Sequence, residues 1–472
     1  MADPAVSLAE APWDTIVVGA GPAGLAAATL LGEHGQRVLL LDEQAEPGGQ
    51  IYRGIERVAP GSGKAAILGA DYLHGAGLVR RFRASGATYS PRTTMWHVAP
   101  GLEIFASRDG VSYPLRSSAL ILATGAMERP VPVAGWTLPG VMTAGALQIL
   151  IKSSGLVADA PVVIAGSGPL FWLLAQQCLA AGVRIAALLD TADGRDLWRA
   201  VPALPRALTG KGPAYLLKGL KLQSALRRAG VPIHRAREVE IIGAERAEGV
   251  RFHSNGRRRE IATELVALHE GVIPGHHATR MLGCAHLWDA HQFAFRPELD
   301  PWGATSMVGV RVAGDAGGIV GARGAEHQGR LVALGLLADS GVIDVAARDR
   351  LAATERSALR AHSSVRPFLD QMFAPRTTVN VPHGEVVVCR CENITAAQVH
   401  QLAGQGLGPN QIKAALRCGM GPCQGRLCGS SVSQVVAAAR GRPPEGADYY
   451  NIRPPLKPVS MGEIAGLMAR PD

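Results

Sequence analysis

The chain has 472 residues, 47% of them hydrophobic and 18% charged, with abundant Gly and few aromatics. That composition excludes a disordered chain and is too large for one ordinary core, so it fits several packed helix–sheet layers. The formal net charge of +9 comes from scattered cations, among them Arg195 to Arg206 and Arg257–Arg259. No basic run interleaves with aromatics, which argues against nucleic acid and for phosphate-bearing ligands or an acidic partner.

Met1–Trp13 lacks a basic leader region and carries Asp3 and Glu10, so no signal peptide is expected and the expected location is cytoplasmic. Thr15–Gly32 and Ala160–Val183 carry no charge, but Gly-rich turns interrupt both. Each therefore reads as strand, tight loop and helix, not as a transmembrane segment.

Thr15–Val18 is a short β-branched run that leads into Gly19-Ala20-Gly21-Pro22-Ala23-Gly24. A helix over Leu25–His34, a Gly35 stop and a strand over Val38–Leu41 follow, and Asp42 closes the strand. The acid stands about 20 residues past the glycines, which completes a dinucleotide-binding βαβ unit. Gly19 permits the turn, Gly21 leaves a path for pyrophosphate, and Gly24 lets the helix approach the sheet. The helix N-terminus offers free N–H groups to phosphate, and Asp42 is suited to accept from an adenosine ribose.

Three further segments resemble those of the two-dinucleotide-binding flavoproteins. They are Pro47-Gly48-Gly49-Gln50 after the acidic strand end, Leu120–Gly125 as a strand-to-turn element, and Val310–Asp315 as a late strand. The resemblance implies an α/β fold with two Rossmann-like domains, related to glutathione and thioredoxin reductases, and FAD in the first of them. Its candidate contacts are Gly19, Gly21, Pro22, Ala23, Gly24, Asp42, Glu43, Gly49, Gln50, Thr124, Gly125, Gly314 and Asp315. Asp315 also reads as a helix N-cap.

A second unit begins at Val162–Pro169, with a helix over Leu170–Ala181, a strand over Val183–Leu189 and Asp190. Here Phe171 replaces the third glycine, which obstructs close packing or phosphate approach. NAD(P), another nucleotide, and no ligand at all remain open for this insert. Cys178 reads as core, and Cys284 has no evident partner, so disulfide-reductase chemistry lacks its dithiol. His269-Glu270 allows an acid–base pair but reads better as a boundary turn. His276, His277, His286 and His291 lack metal-ligand periodicity.

An amphipathic helix over Val345–Leu359 and a proline-punctuated link over Pro367–Pro382 precede the strongest anomaly. Five of seven cysteines fall between Cys389 and Cys428. Cys389 and Cys391 form Cys-x-Cys, and after 31 intervening residues Cys423 and Cys428 form Cys-x₄-Cys. Thiolates in a Gly-rich backbone suit an iron–sulfur cluster, with structural zinc and unliganded thiols as the other readings. The spacing is similar to that of bacterioferritin-associated-ferredoxin-like modules, which implies a [2Fe–2S] cluster on Cys389, Cys391, Cys423 and Cys428. Cys418 is the alternative to Cys428.

The whole chain from about Asp14 to Met468 resembles the alpha subunits of bacterial heteromeric flavin dehydrogenases. Opine oxidases, D-hydroxyproline dehydrogenase and hydrogen cyanide synthase are of this type. The stretches that carry the resemblance include Gly49–Arg53, Leu138–Gly145, Gly421–Arg426 and Arg453–Pro458. It implies that a partner flavoprotein beta subunit oxidises an amine or imino acid while this chain handles electrons. It further implies an FMN at the interface between the two and, as an added partner, a small ferredoxin-like gamma subunit. The competing reading is a self-contained NAD(P)H-dependent FAD reductase that feeds a ferredoxin-type acceptor.

The expected division is therefore as follows. Residues 1–135 and 271–345 form the FAD domain, 136–270 the nucleotide-binding-like insert, and 346–384 a helix and linker. Residues 385–440 form the small helical [2Fe–2S] domain and 441–472 a tail.

Overall fold

A computed structural model describes residues 12–468; most of the Met1–Trp13 segment and the last tail residues lie outside the described part. The first sheet is built from β1 (Trp13–Val18), β2 (Val38–Leu41), β3 (Thr88–Ser90), β4 (Thr93–Ala99), β5 (Glu103–Arg108) and β6 (Val111–Leu122). The insert contributes β7 (Ala126–Glu128), β8 (Val141–Thr143), β9 (Val162–Ser167), β10 (Ile185–Asp190), β11 (Ile233–Arg235), β12 (Arg237–Ile242), β13 (Gly249–Ser254), β14 (Arg257–Ala262), β15 (Leu265–Glu270) and β16 (Val272–Pro274). The chain then forms a hairpin, β17 (His286–Asp289) and β18 (Ala294–Pro297), and returns to the first sheet as β19 (Val310–Val312).

In the first sheet β3, β2, β1, β6 and β19 run parallel in that order, and β6 continues into an antiparallel meander with β5 and β4. The register pairs Val18 with Leu41 and Leu122, and Leu122 with Val312. All four strands thus end level, and the loops after them share one edge. Successive residues alternate between two cores, as a strand's period of two requires. Val17, Leu40 and Ile121 face the helices Pro22–Glu33 and Gly321–Asp339, while Ile16, Leu39, Leu120 and Val310 face the other side. The second core continues without a break into the C-terminal module, through Val388, Val399, Ile412, Val432 and Tyr449.

The insert's sheet is fully parallel, in the order β11–β10–β9–β15–β8, with β12–β14 as an antiparallel layer. It joins the first domain through the two-stranded ribbon of β7 and β16. Beside that ribbon the Arg129 guanidinium is buried. It donates to the carbonyls of Glu270 (3.2 Å), Phe293 (2.9 Å) and Gln292 (2.8 Å) and to Asn380 Oδ1 (3.2 Å). One side chain therefore ties insert, first domain and C-terminal linker together. That linker is itself ordered, with short helices at Arg366–Met372 and Thr377–Asn380. No helix among the described residues is long and apolar enough to cross a membrane.

Replacing Arg129 with Leu would leave four acceptors without their donor. The expected loss is about 3 kcal/mol or more of stability, read as an earlier transition in urea or thermal unfolding, with altered protease sensitivity around residues 376–386.

Candidate functional site

At the level edge of the first sheet, Gly19 and Gly21 form the turn into the helix Pro22–Glu33. Gly19 has φ +106°, a conformation open to glycine, and a Cβ there would overlap the Ala123 carbonyl. A Cβ on Gly24 would overlap the Gly19 carbonyl oxygen, which explains the close helix–sheet contact. Gly21 differs, since a Cβ there meets nothing within 4 Å. The space above the helix N-terminus is open, as a phosphate path needs.

The other predicted residues gather on this edge. Asp42 accepts from Ala20 N at 2.6 Å and Gln44 N at 2.7 Å, and burial pushes its pKa up while those bonds oppose the shift. The Pro47–Gln50 loop lies on the glycine turn: Gly48 N donates to Ala20 O at 2.8 Å, and a Cβ on Gly49 would sit 2.7 Å from Gly21 Cα. Thr124 Oγ1 donates to Gly275 O at 2.9 Å, and Gly275 N donates back to Gly125 O at 2.9 Å. Asp315 lies within the short turn Gly314–Gly317 and accepts from Val320 N and Gly321 N at 2.8 and 2.9 Å; it braces the start of the helix Gly321–Asp339 from five positions upstream, but Val320 and not Asp315 is that helix's N-cap residue. Glu43 is exposed and paired with Lys457 of the tail.

Lys152 was invisible to sequence reasoning. From the insert helix Ala144–Ser154 its ammonium donates to Gln50 O (3.3 Å) and Ile51 O (3.1 Å), and burial lowers its pKa to about 8.

The second glycine turn is bordered by the C-terminal linker. Phe171 is fully buried and meets Trp172 edge-on at 4.9 Å, filling the space that a third glycine would leave. Above Gly168, where a Cβ would sit 4.0 Å from the Phe373 Cβ, the linker crosses the edge. Glu270, at the end of β15 and wholly buried, is paired with Arg376 at 2.8 Å and accepts from Thr191 Oγ1 at 2.8 Å. His269 turns the other way, with Nδ1 2.7 Å from Glu128 Oε1. The two neighbours therefore do not form a pair with each other. No pattern in the chain marks Phe373 or Arg376 as partners of this turn.

Cys178 and Cys284 are buried, and burial pushes the Cys178 thiol up to about 12, far from a reactive thiolate. Three of the four histidines do cluster, with His276 ring centroids 6.0 Å from His277 and 5.7 Å from His286. Burial keeps His276 neutral, while Arg280 donates to its Nδ1 at 3.1 Å. His277 Nε2 donates to Gln424 O at 3.2 Å, which joins this segment to the cysteine loop. His291 lies apart, against Gln371.

Among the described residues, one group can hold a metal: Cys389, Cys418 and Cys428 are buried, with sulfurs within 4.8 Å of one another. Hydrogen bonds from Cys418 and then Cys428 hold the Cys389 thiol down to about 2. Cys391 is exposed and faces Cys423. The strand Val387–Cys389 is pinned to the insert by Trp136 Nε1, which donates to Val387 O at 2.7 Å. Soft donors converging in a dry nest, with no disulfide, fit a thiolate-ligated metal or cluster.

The profile of the family described as pyridine nucleotide-disulphide oxidoreductase matches residues 13–329. An opine oxidase subunit of Rhizobium meliloti is 47% identical, over 97% of this chain and 99% of its own. Hydrogen cyanide synthase subunit HcnB of Pseudomonas protegens is 33% identical, over 94% of this chain and 96% of its own. The crystal structure of L-proline dehydrogenase from P. horikoshii superposes with a TM-score of 0.68 at 18% identity. It covers 96% of this chain and 79% of that one, which shows a shared fold.

Gly21→Val and Gly24→Val should therefore fail differently. Gly21→Val should fold with the melting temperature of the flavin-free wild type and lose its dinucleotide, whereas Gly24→Val should fold poorly. Far-UV circular dichroism beside the flavin absorbance of each purified variant separates the two, and full flavin retention in Gly21→Val would show that the turn is not the cofactor site.

Proposed function

Because the chain belongs to the pyridine nucleotide-disulphide oxidoreductase family, and within it to the group of these opine oxidase subunits, we propose that it is the electron-transfer alpha subunit of a heteromeric flavin dehydrogenase or oxidase. At the coarser level it is an FAD-dependent oxidoreductase and a subunit of a flavin amine or amino-acid oxidase. On this reading an opine, D-hydroxyproline or a similar secondary amine is oxidised on a beta flavoprotein subunit. An FMN at the interface and a small gamma subunit complete the proposal.

The observation that carries it is the pairing, on the two faces of one sheet, of an open glycine turn at Gly21 and a buried nest of three sulfurs. Gly19, Gly21, Pro22, Ala23 and Gly24 would hold the FAD pyrophosphate, and Asp42 and Glu43 its ribose. Gly49, Gln50, Thr124 and Gly125 would border the flavin, and Gly314 and Asp315 the ribityl chain. Asp42 and Asp315 are each oriented by backbone N–H groups, and their remaining lone pairs are available to cofactor hydroxyls.

When bound, FAD supplies the conversion between two-electron and one-electron transfer that an iron–sulfur cluster needs as a neighbour. The proposed ligands are Cys389, Cys391, Cys423 and Cys428. The sulfur grouping supports Cys389 and Cys428 and strengthens Cys418 as the alternative, with the Cys391–Cys423 pair at hand for the remaining place.

Co-expression with the partner flavoprotein should give a stable complex with dye-linked amine dehydrogenase activity that neither chain shows alone. The anaerobically purified chain should carry FAD, labile sulfide and about two irons, as a [2Fe–2S] centre requires. Turnover of opines or amino acids by this chain alone, at the rate of the complex, would defeat the proposed division of labour. Stoichiometric zinc without sulfide would defeat the cluster.

Reduction by NADH or NADPH should be poor, since Phe171 stands in place of the third glycine and Phe373 with Arg376 borders the turn. Anaerobic stopped-flow mixing reads this directly: rapid stoichiometric flavin bleaching would favour the self-contained reductase.

A further inference from the structure

A buried phenol needs an acceptor for its proton. Tyr450 is 2% exposed, and among the described residues its hydroxyl meets only sulfur. It donates to Cys418 Sγ at 3.3 Å and lies 3.9 Å from Cys428 Sγ. The ring is seated on the cysteine loop: a Cβ on Gly419 or Gly425 would come within 2.7 or 2.9 Å of it. Asn410 holds the chain on both sides of the ring, donating to Tyr449 O at 3.3 Å and accepting from Asn451 N at 2.8 Å. The Lys413 ammonium stands over the ring at 5.6 Å. The hydroxyl is thus aimed and not merely nearby.

Resting on the reading above, in which these cysteines carry an iron–sulfur cluster, we propose that Tyr450 is a positioning residue whose O–H···S hydrogen bond raises the reduction potential of that cluster. A donor to a ligand sulfur draws electron density from it. The reduced, more negative centre gains more from this than the oxidised one, so reduction becomes easier. The hydroxyl has one proton, given to Cys418 at 3.3 Å, so the effect is largest with Cys418 as a ligand; turned to Cys428, at 3.9 Å, the same donor is weaker. The loop glycines follow from the same arrangement, because a side chain at Gly419 or Gly425 would displace the ring.

The test is a redox titration of the purified holo-protein, followed by electron paramagnetic resonance, beside iron, sulfide and flavin analysis. Tyr450→Phe keeps the ring and removes the donor. It should retain iron, sulfide and FAD at wild-type levels, with the cluster midpoint shifted to lower potential. Tyr449→Phe removes a hydroxyl that bonds no sulfur and should leave the midpoint unchanged. Should Tyr450→Phe lose its cluster, 3-fluorotyrosine placed at position 450 keeps the packing and makes the hydroxyl a stronger donor, so the midpoint should rise. An unchanged midpoint in an intact Tyr450→Phe, an equal drop in Tyr449→Phe, or no rise with 3-fluorotyrosine overturns the assignment. A wild-type chain without iron and sulfide fails earlier: it removes the cluster reading and this inference with it, whereas the other outcomes remove the tyrosine's role alone.

Discussion

Four parallel strands that end in register are the constraint from which the cofactor edge follows. Val18, Leu41, Leu122 and Val312 stand level although nearly 300 residues separate the first from the last. Because they are level, the glycine turn, Asp42, Thr124-Gly125 and Gly314-Asp315 all emerge at one edge, at the point where strand order reverses between β1 and β6. Ligands of open parallel sheets bind at such points. The register is protected from slipping by burial on both faces. A shift of one residue along β1 would exchange Ile16 and Val17 between two different cores, one closed by helices and the other by the C-terminal module.

The insert repeats the architecture with different edge chemistry. Its glycine turn is met by Phe373, and the carboxylate at the end of β15 is neutralised by Arg376 from the same segment. A buried carboxylate without a partner would be costly, so the linker is held where it crosses. Asn380, a few residues on, reaches the buried Arg129 beside the inter-domain ribbon. In a two-domain flavoprotein joined by two short strands the default expectation is relative motion. Here the linker, Arg129 and Lys152 bridge the same joint from three directions.

The elements that sequence reading locates well are those with a local cause. The fingerprint turn and the strand Val38–Leu41 coincide with their expected ranges because glycines and a continuous apolar run mark them. The candidate FAD residues were legible for the same reason, and their convergence on one edge follows from strand order. What was not legible depends on distant contacts. Phe373, Arg376, Lys152 and Tyr450 have no motif; each acquires its meaning from a partner that stands 32 or more positions away in sequence or on another sheet. The cysteines show the limit most clearly. The resemblance in spacing offers Cys418 only as the alternative to Cys428, whereas the fold brings its sulfur to both Cys389 and Cys428 and turns Cys391 toward Cys423.

A small C-terminal module behind a proline-punctuated link could hang as a bead on a tether, and the packing here argues otherwise. Its apolar residues are continuous with the face of the first sheet, and its first strand is bonded to Trp136 of the insert. The tail then doubles back: Leu456 N donates to Trp96 O at 2.7 Å, and Lys457 pairs with Glu43 beside the acid that ends β2. Tyr450 lies on that return path, and so does Tyr449, over whose ring the Arg280 guanidinium sits at 3.8 Å. A loosely tethered module would vary its distance from the glycine edge. One built into the core, with its tail fastened across the edge, keeps the thiols and the dinucleotide turn at a fixed separation. For the electron transfer proposed above a constant separation matters more than reach, and the sheet that both cores share as a wall supplies it.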